Sequence, residues 1–278
     1  ILISEYPCEW AATYTDNKIK SSSIDYCKEV KGKIKGIIVN SGSANCCVGE
    51  QGLIDARNIT NKCEEIFQSK SPFLMSSTGV IGVEIPVGLI ISSIEKFSID
   101  ISGGERFSRA IITTDSKTKN VSVEVNSKNG SYKIGGVAKG SGMIHPKMGT
   151  MLSYITTDAD ISSSNLTKIL RKSVKNSFNQ IDIDGDTSTN DTVVIMSNGA
   201  SGNKIDTNED IDKFQEALDY VTQHLARLIA EDGEGISHLI TVEVKGAKNE
   251  NDALEVSNAV VSSSLVKTAI FGKDPNWG

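Results

Sequence analysis

Two periodicities organise the apolar positions of this chain. "IKGIIVNSGSAN" (34–45) is a short apolar run closed by glycine, serine and asparagine, which predicts a buried strand and its turn. Residues 52–67 follow with Ile59, Cys63, Ile66 and Phe67 at helical spacing. "VSVEV" (121–125) and "YKIGGVAKG" (132–140) flank Asn129-Gly130 and predict a hairpin. "MLSYITTD" (151–158) alternates like a strand, and 162–178 predicts a helix carrying Leu166, Ile169, Leu170, Val174 and Phe178. The clearest helix is 208–230, where Ile211, Phe214, Leu218, Val221, Leu225 and Leu228 form one stripe. Strand-like "LITVEVKG" (239–246) comes next. Strands and helices interleave without repeat or linker, so the fold class is α/β, with layered sheets and helices outside.

Composition narrows the partners. The 278 residues carry a net charge of -6, with no Lys/Arg run longer than two, which argues against nucleic-acid or anionic-membrane binding. No stretch reaches transmembrane length. Five cysteines (Cys8, Cys27, Cys46, Cys47, Cys63) lack zinc-site or C-x-x-C spacing, as expected of reduced thiols in a cytosolic protein. The chain opens on "ILI" without an initiator methionine, so its natural beginning is expected to lie upstream.

Short motifs add little on their own. His224 falls on the long amphipathic helix, His238 at a strand start and His145 in a glycine-rich loop, without any G-x-S-x-G, H-E-x-x-H, Walker or dinucleotide pattern. "DIDGDTSTND" (182–191) starts like a calcium loop, but Gly185 is out of register and Val193 stands where the bidentate glutamate belongs. A turn closed by Asx and Ser/Thr side chains is the better reading, and no metal is expected. "SSTGVIG" (76–82) reads either as a strand-end turn or as an oxyanion hole, in which one hydroxyl and one glycine N–H converge on developing charge.

Thr150 follows the small Gly149 and precedes a strand. A threonine hydroxyl needs an adjacent base, and one solution is its own α-amine, freed by cutting the chain just before it. "GGVAKGSGMIHPKMGTMLSYITTDADI" resembles the self-cleavage region of the ornithine acetyltransferase family, the glutamate N-acetyltransferases of arginine biosynthesis. "VNSGSANCCVGEQG", "SSTGVIG", "AIITTDS", "IDGDTSTNDTVVIMSNG", "EDGEGISHLITVEVKGA" and "SLVKTAIFGKDPNWG" resemble further family blocks in family order, covering nearly the whole chain.

The resemblance implies autocatalytic cleavage between Gly149 and Thr150, giving an α chain of residues 1–149 and a β chain of residues 150–278. Thr150 would then carry the acetyl group from N-acetylornithine to glutamate by a ping-pong route. It implies an oxyanion hole of the Thr78 hydroxyl and Gly79 N–H, and substrate contacts from Thr113, Lys139, Thr150 and Glu234. Lys139 suits an α-carboxylate; without the family pattern it reads as a solvated loop lysine. The implied fold is an αββα-like sandwich resembling N-terminal nucleophile hydrolases with different connectivity. The implied assembly is a cytoplasmic heterotetramer of two α and two β chains, without cofactor, and acetyl-CoA is a second donor in bifunctional members.

This chain departs from the pattern at "HPKMG" before Thr150, where members have Ala-Pro-Asn-Met-Ala, and at "GISHL", where they have "GATKL". Members also continue past "DPNWG" into a segment that supplies an asparagine and a hydroxyl to the substrate site. The rival readings are an N-terminal-nucleophile aminopeptidase or amidohydrolase, which would deliver the acyl group to water, and a non-catalytic relative.

Overall fold

A computed structural model of the chain describes residues 1–128, 130–145 and 151–275. In chain order its elements are β1 (Leu2–Tyr14), α1 (Ser22–Glu29), β2 (Ile34–Ser43), α2 (Gln51–Ile66), β3 (Phe73–Val80), α3 (Val87–Ile94), α4 (Gly104–Ala110) and β4 (Lys119–Ser127). They continue with β5 (Gly130–Lys139), β6 (Leu152–Thr157), α5 (Ser163–Lys175), β7 (Thr192–Ser197), α6 (Asn208–Ala230), α7 (Glu250–Val261) and α8 (Ser264–Phe271).

The strands form one sheet in the order β3-β2-β1-β7-β6-β5-β4, with β2/β3 and β6/β7 parallel and the other neighbours antiparallel. β1 belongs to both halves. Its start pairs with β2, and Glu9 to Tyr14 pair with β7. The register breaks between Ile3 and Cys8, around Pro7, which has no N–H to give to a ladder.

The break lets the two halves of the sheet lie over one another. Leu152 and Tyr154 of β6 and Val194 and Met196 of β7 share a core with Ile37, Ile38, Leu74 and Met75 of β2 and β3. The opposite face of the β6/β7 half, carrying Ile155, Val193 and Ile195, packs on Leu166, Leu170, Phe214, Leu218 and Leu225 of α5 and α6. On the far side of β3, α1 holds the strand through Tyr26 Oη to the Phe73 carbonyl at 3.0 Å. The layers therefore run helices, sheet half, sheet half, helices: the expected α/β sandwich.

Local chemistry explains the helix limits. Ser162 accepts from Asn165 N and Thr207 from Asp210 N, starting α5 and α6 with side-chain caps. The stripe read for 208–230 is the buried face of α6 from Ile211 to Leu225, but Ile229 rather than Leu228 ends it; the hairpin of 121–125 with 132–140 is β4/β5. One expectation fails. Residues 239–246 pair with no strand among the described residues and lie largely exposed. Alternation makes a segment able to pair, but a strand exists only beside another, and none borders it. His238 accordingly begins no strand.

Candidate active site

Lys139 ends β5 and is only 2% exposed. Its ammonium donates to Thr113 Oγ1 at 2.9 Å and to Thr78 Oγ1 at 3.2 Å. Burial pushes this ammonium below the usual lysine range, Asp115 pulls it back up, and Lys119 adds to the lowering. The bonding has a directional consequence. Each threonine oxygen already accepts from Lys139, so each hydroxyl proton is free to point at a ligand. Lys139 keeps a third N–H for the same space.

Thr78 and Gly79 stand at the end of β3, paired with Ser41 and Gly42 at the end of β2. Gly79 has φ +132°, and a Cβ there would sit 2.2 Å from the Gly42 carbonyl carbon, so only glycine fits. Asn190 braces this turn from the adjacent loop, giving its amide to the carbonyls of Ser77 and Ala44, both at 2.7 Å.

Glu234 is held by its backbone, its N–H donating to the Ser141 carbonyl at 2.7 Å. Its carboxylate lies against Gly142, where a Cβ would come within 2.6 Å of it. Glu234 thus sits on the loop leaving Lys139 and pulls the Lys139 ammonium upward. Gly149 and Thr150 lie outside the described residues. Of the sequence-predicted site residues, Thr78, Gly79, Thr113, Lys139 and Glu234 therefore converge, carried by four separate segments.

Sequence reasoning passed over Asp191. Its side chain is fully buried, and Oδ1 accepts the N–H of Met151, the residue after Thr150, at 2.9 Å. Oδ2 is buried without a hydrogen-bond partner. Burial pushes this carboxyl well above the usual range, against the opposing pull of the Met151 N–H and, through space, Lys139. The signal in "DTSTND" is a run of small polar residues, which spacing alone reads as a turn.

That loop is indeed closed by its own side chains. Asp184 accepts the N–H groups of Met143, Ile144 and Asp186, while Asp182 takes His145 Nδ1 at 2.7 Å and the Lys267 ammonium. His224 stacks on Tyr220, with ring centroids 6.1 Å apart, away from the site.

With this geometry in hand, the family model described as the ArgJ family matches residues 1–278. The chain belongs to the ArgJ family. The arginine biosynthesis bifunctional protein ArgJ of Thermotoga neapolitana is 47% identical over 287 residues, aligned with 100% of this chain and 72% of that one. The protein of the same name from Caldanaerobacter subterraneus subsp. tengcongensis is 44% identical over 285 residues, covering 100% and 71%. A crystal structure of the Bacillus halodurans arginine biosynthesis bifunctional protein argJ has 37% identity, a TM-score of 0.49, and coverage of 54% of this chain and 80% of that one.

Proposed function

We propose that this ArgJ-family chain transfers acetyl from N-acetylornithine to glutamate through an acetyl-Thr150 intermediate, after cutting itself between Gly149 and Thr150. The observation that carries the reading is the meeting of Thr78, Gly79, Thr113 and Lys139 around one space, with both threonine protons left free.

In the self-processing step, Thr150 Oγ attacks the Gly149 carbonyl and the peptide nitrogen leaves, becoming the α-amine of Thr150. Water then hydrolyses the ester, leaving chains of 149 and 278 - 149 = 129 residues over the present sequence. The freed amine takes the proton of its own hydroxyl as that oxygen attacks the acetyl carbonyl of N-acetylornithine. Thr78 Oγ–H and Gly79 N–H stabilise the oxyanion, and ornithine departs with the proton. The α-amine of glutamate attacks the acetyl ester, N-acetylglutamate leaves, and Thr150 is regenerated. The spare N–H of Lys139 meets the α-carboxylate of either amino acid, and Glu234 meets an ammonium. No cofactor enters this cycle, and acetyl-CoA can stand in for N-acetylornithine as donor. The enzyme works in the cytoplasm, as two α and two β chains.

The test takes the full-length parent protein beside Thr150→Ala. Intact mass should give two chains meeting at Gly149/Thr150 in the wild type and one uncut chain in the variant. Glutamate-dependent release of ornithine should accompany the cut. A folded wild type that stays whole would overturn the reading; release of acetate without any glutamate requirement would replace it with an amidohydrolase.

A further inference from the structure

Lys119 opens β4, makes no contact with solvent, and lies between two carboxylates. Its ammonium is 2.6 Å from Asp115 Oδ1 and 2.6 Å from Asp232 Oδ2. A buried ion group of this kind contributes little net stability over well-packed apolar residues, so its arrangement calls for another explanation.

The explanation lies in what the two carboxylates hold. Asp115 Oδ1 also accepts the N–H of Gly140 at 2.6 Å, the residue after Lys139. Its Oδ2 accepts the N–H of Thr113 at 3.3 Å. Asp232 accepts both the backbone N–H and the hydroxyl of Ser116, and lies two residues before Glu234. Burial alone would raise the Asp232 carboxyl, but the bonds from Lys119 and Ser116 outweigh it and hold it below the usual range. Three segments, carrying Thr113, Lys139 and Glu234, are thus tied to one ammonium that itself reaches no ligand.

We infer that Lys119 is a positioning residue that sets the spacing of Thr113, Lys139 and Glu234, and with it the fit of the site to an α-amino acid. The inference rests on the acetyl-transfer reading above. Without the ammonium, Asp115 and Asp232 would face each other buried, and one of them would have to take up a proton. A protonated Asp115 would weaken its hold on Gly140 and Thr113; a protonated Asp232 would loosen Ser116 and the chain leading to Glu234. The three substrate contacts would drift apart while the backbone of Thr78 and Gly79 stayed fixed by β2, β3 and Asn190.

Lys119→Met in the full-length protein tests this, since Met keeps the stem and removes only the charge. Cleavage measured by intact mass reports that the fold survives. The expected result is a KM for N-acetylornithine and for glutamate raised roughly tenfold or more, with kcat within about threefold of wild type. A purely structural role would lower the active fraction, and so kcat, without moving KM. If Lys119→Met does not fold, Asp232→Asn asks the same question from the other side of the ammonium, with the same expected rise in KM. Unchanged KM values in a folded variant, beside an active wild type, would overturn the inference alone. An uncut, inactive wild type would instead overturn the acetyl-transfer reading.

Discussion

Asp191 keeps a carboxyl in the protein interior at a cost, because one of its oxygens finds no donor. Its pKa is raised in the folded chain, so the folded state binds more protons than the unfolded state above the ordinary carboxylate pKa of about 3.9. Its contribution to stability is therefore present below that value and is lost as pH rises toward the folded pKa. Asp191→Asn keeps an oxygen for the Met151 N–H and removes the charge. The variant should gain stability relative to wild type, and the gain should grow between pH 5 and pH 7.5, read as the shift in urea midpoint. A constant difference across that range would mean that the folded-state carboxyl is already ionised at its lower end, so that its pKa is not raised. At this scale the family blocks marked Thr78, Gly79, Thr113, Lys139 and Glu234, which do converge, and Gly149 and Thr150, which lie outside the described residues. Lys119 and Asp191 were not legible, because their roles depend on burial and, beyond the Asp115 beside Lys119, on partners far along the chain, Asp232 and Met151.

At the scale of elements, α6 presses its stripe onto β4 and β5, and Phe214 is a fixed point in that contact. Its ring, fully buried, stacks on Tyr132 of β5 with centroids 5.8 Å apart. Phe214→Ala should cost about 3–5 kcal/mol, measured by urea unfolding of the uncut Thr150→Ala background to keep a single chain. A loss below about 1 kcal/mol would show that α6 is held from elsewhere. Helical periodicity carried this element from sequence to structure except at its last turn, where Ile229 rather than Leu228 is buried, since a stripe of apolar residues spaced 3.6 apart has only one way to be buried. The alternation of 239–246 carried less, because strand pairing depends on a neighbour that the segment itself does not encode.

Over the whole molecule, burial is uneven. From Ile236 to Asp274 only Ala269 lies in the core among the described residues, and 236–248 crosses solvent without strand or helix. Brief native trypsin digestion should cut first after Lys245 or Lys248, leaving residues 151–235 attached to their sheet. First cuts inside α5 or α6 would contradict this distribution. The layered α/β class could be read from interleaved elements, but the folding of one sheet over itself could not. It turns on Pro7 and on which half of β1 meets which strand, a pairing between residues about 180 positions apart.

That divided first strand also sets an order of events during synthesis. Its first half can meet β2 while the early chain is emerging, but Glu9 to Tyr14 have no strand to pair with until Thr192 to Ser197 leave the ribosome. At ordinary elongation rates the wait is roughly 10–40 s. Asp191, which accepts the N–H of Met151, arrives with the same late strand. The chain therefore cannot close its sandwich, or brace the bond it is proposed to cut, until about two thirds of it exists. The proposed cut would then follow assembly, and the exposed edge of the first strand is the part of the nascent protein that most needs shelter in the meantime.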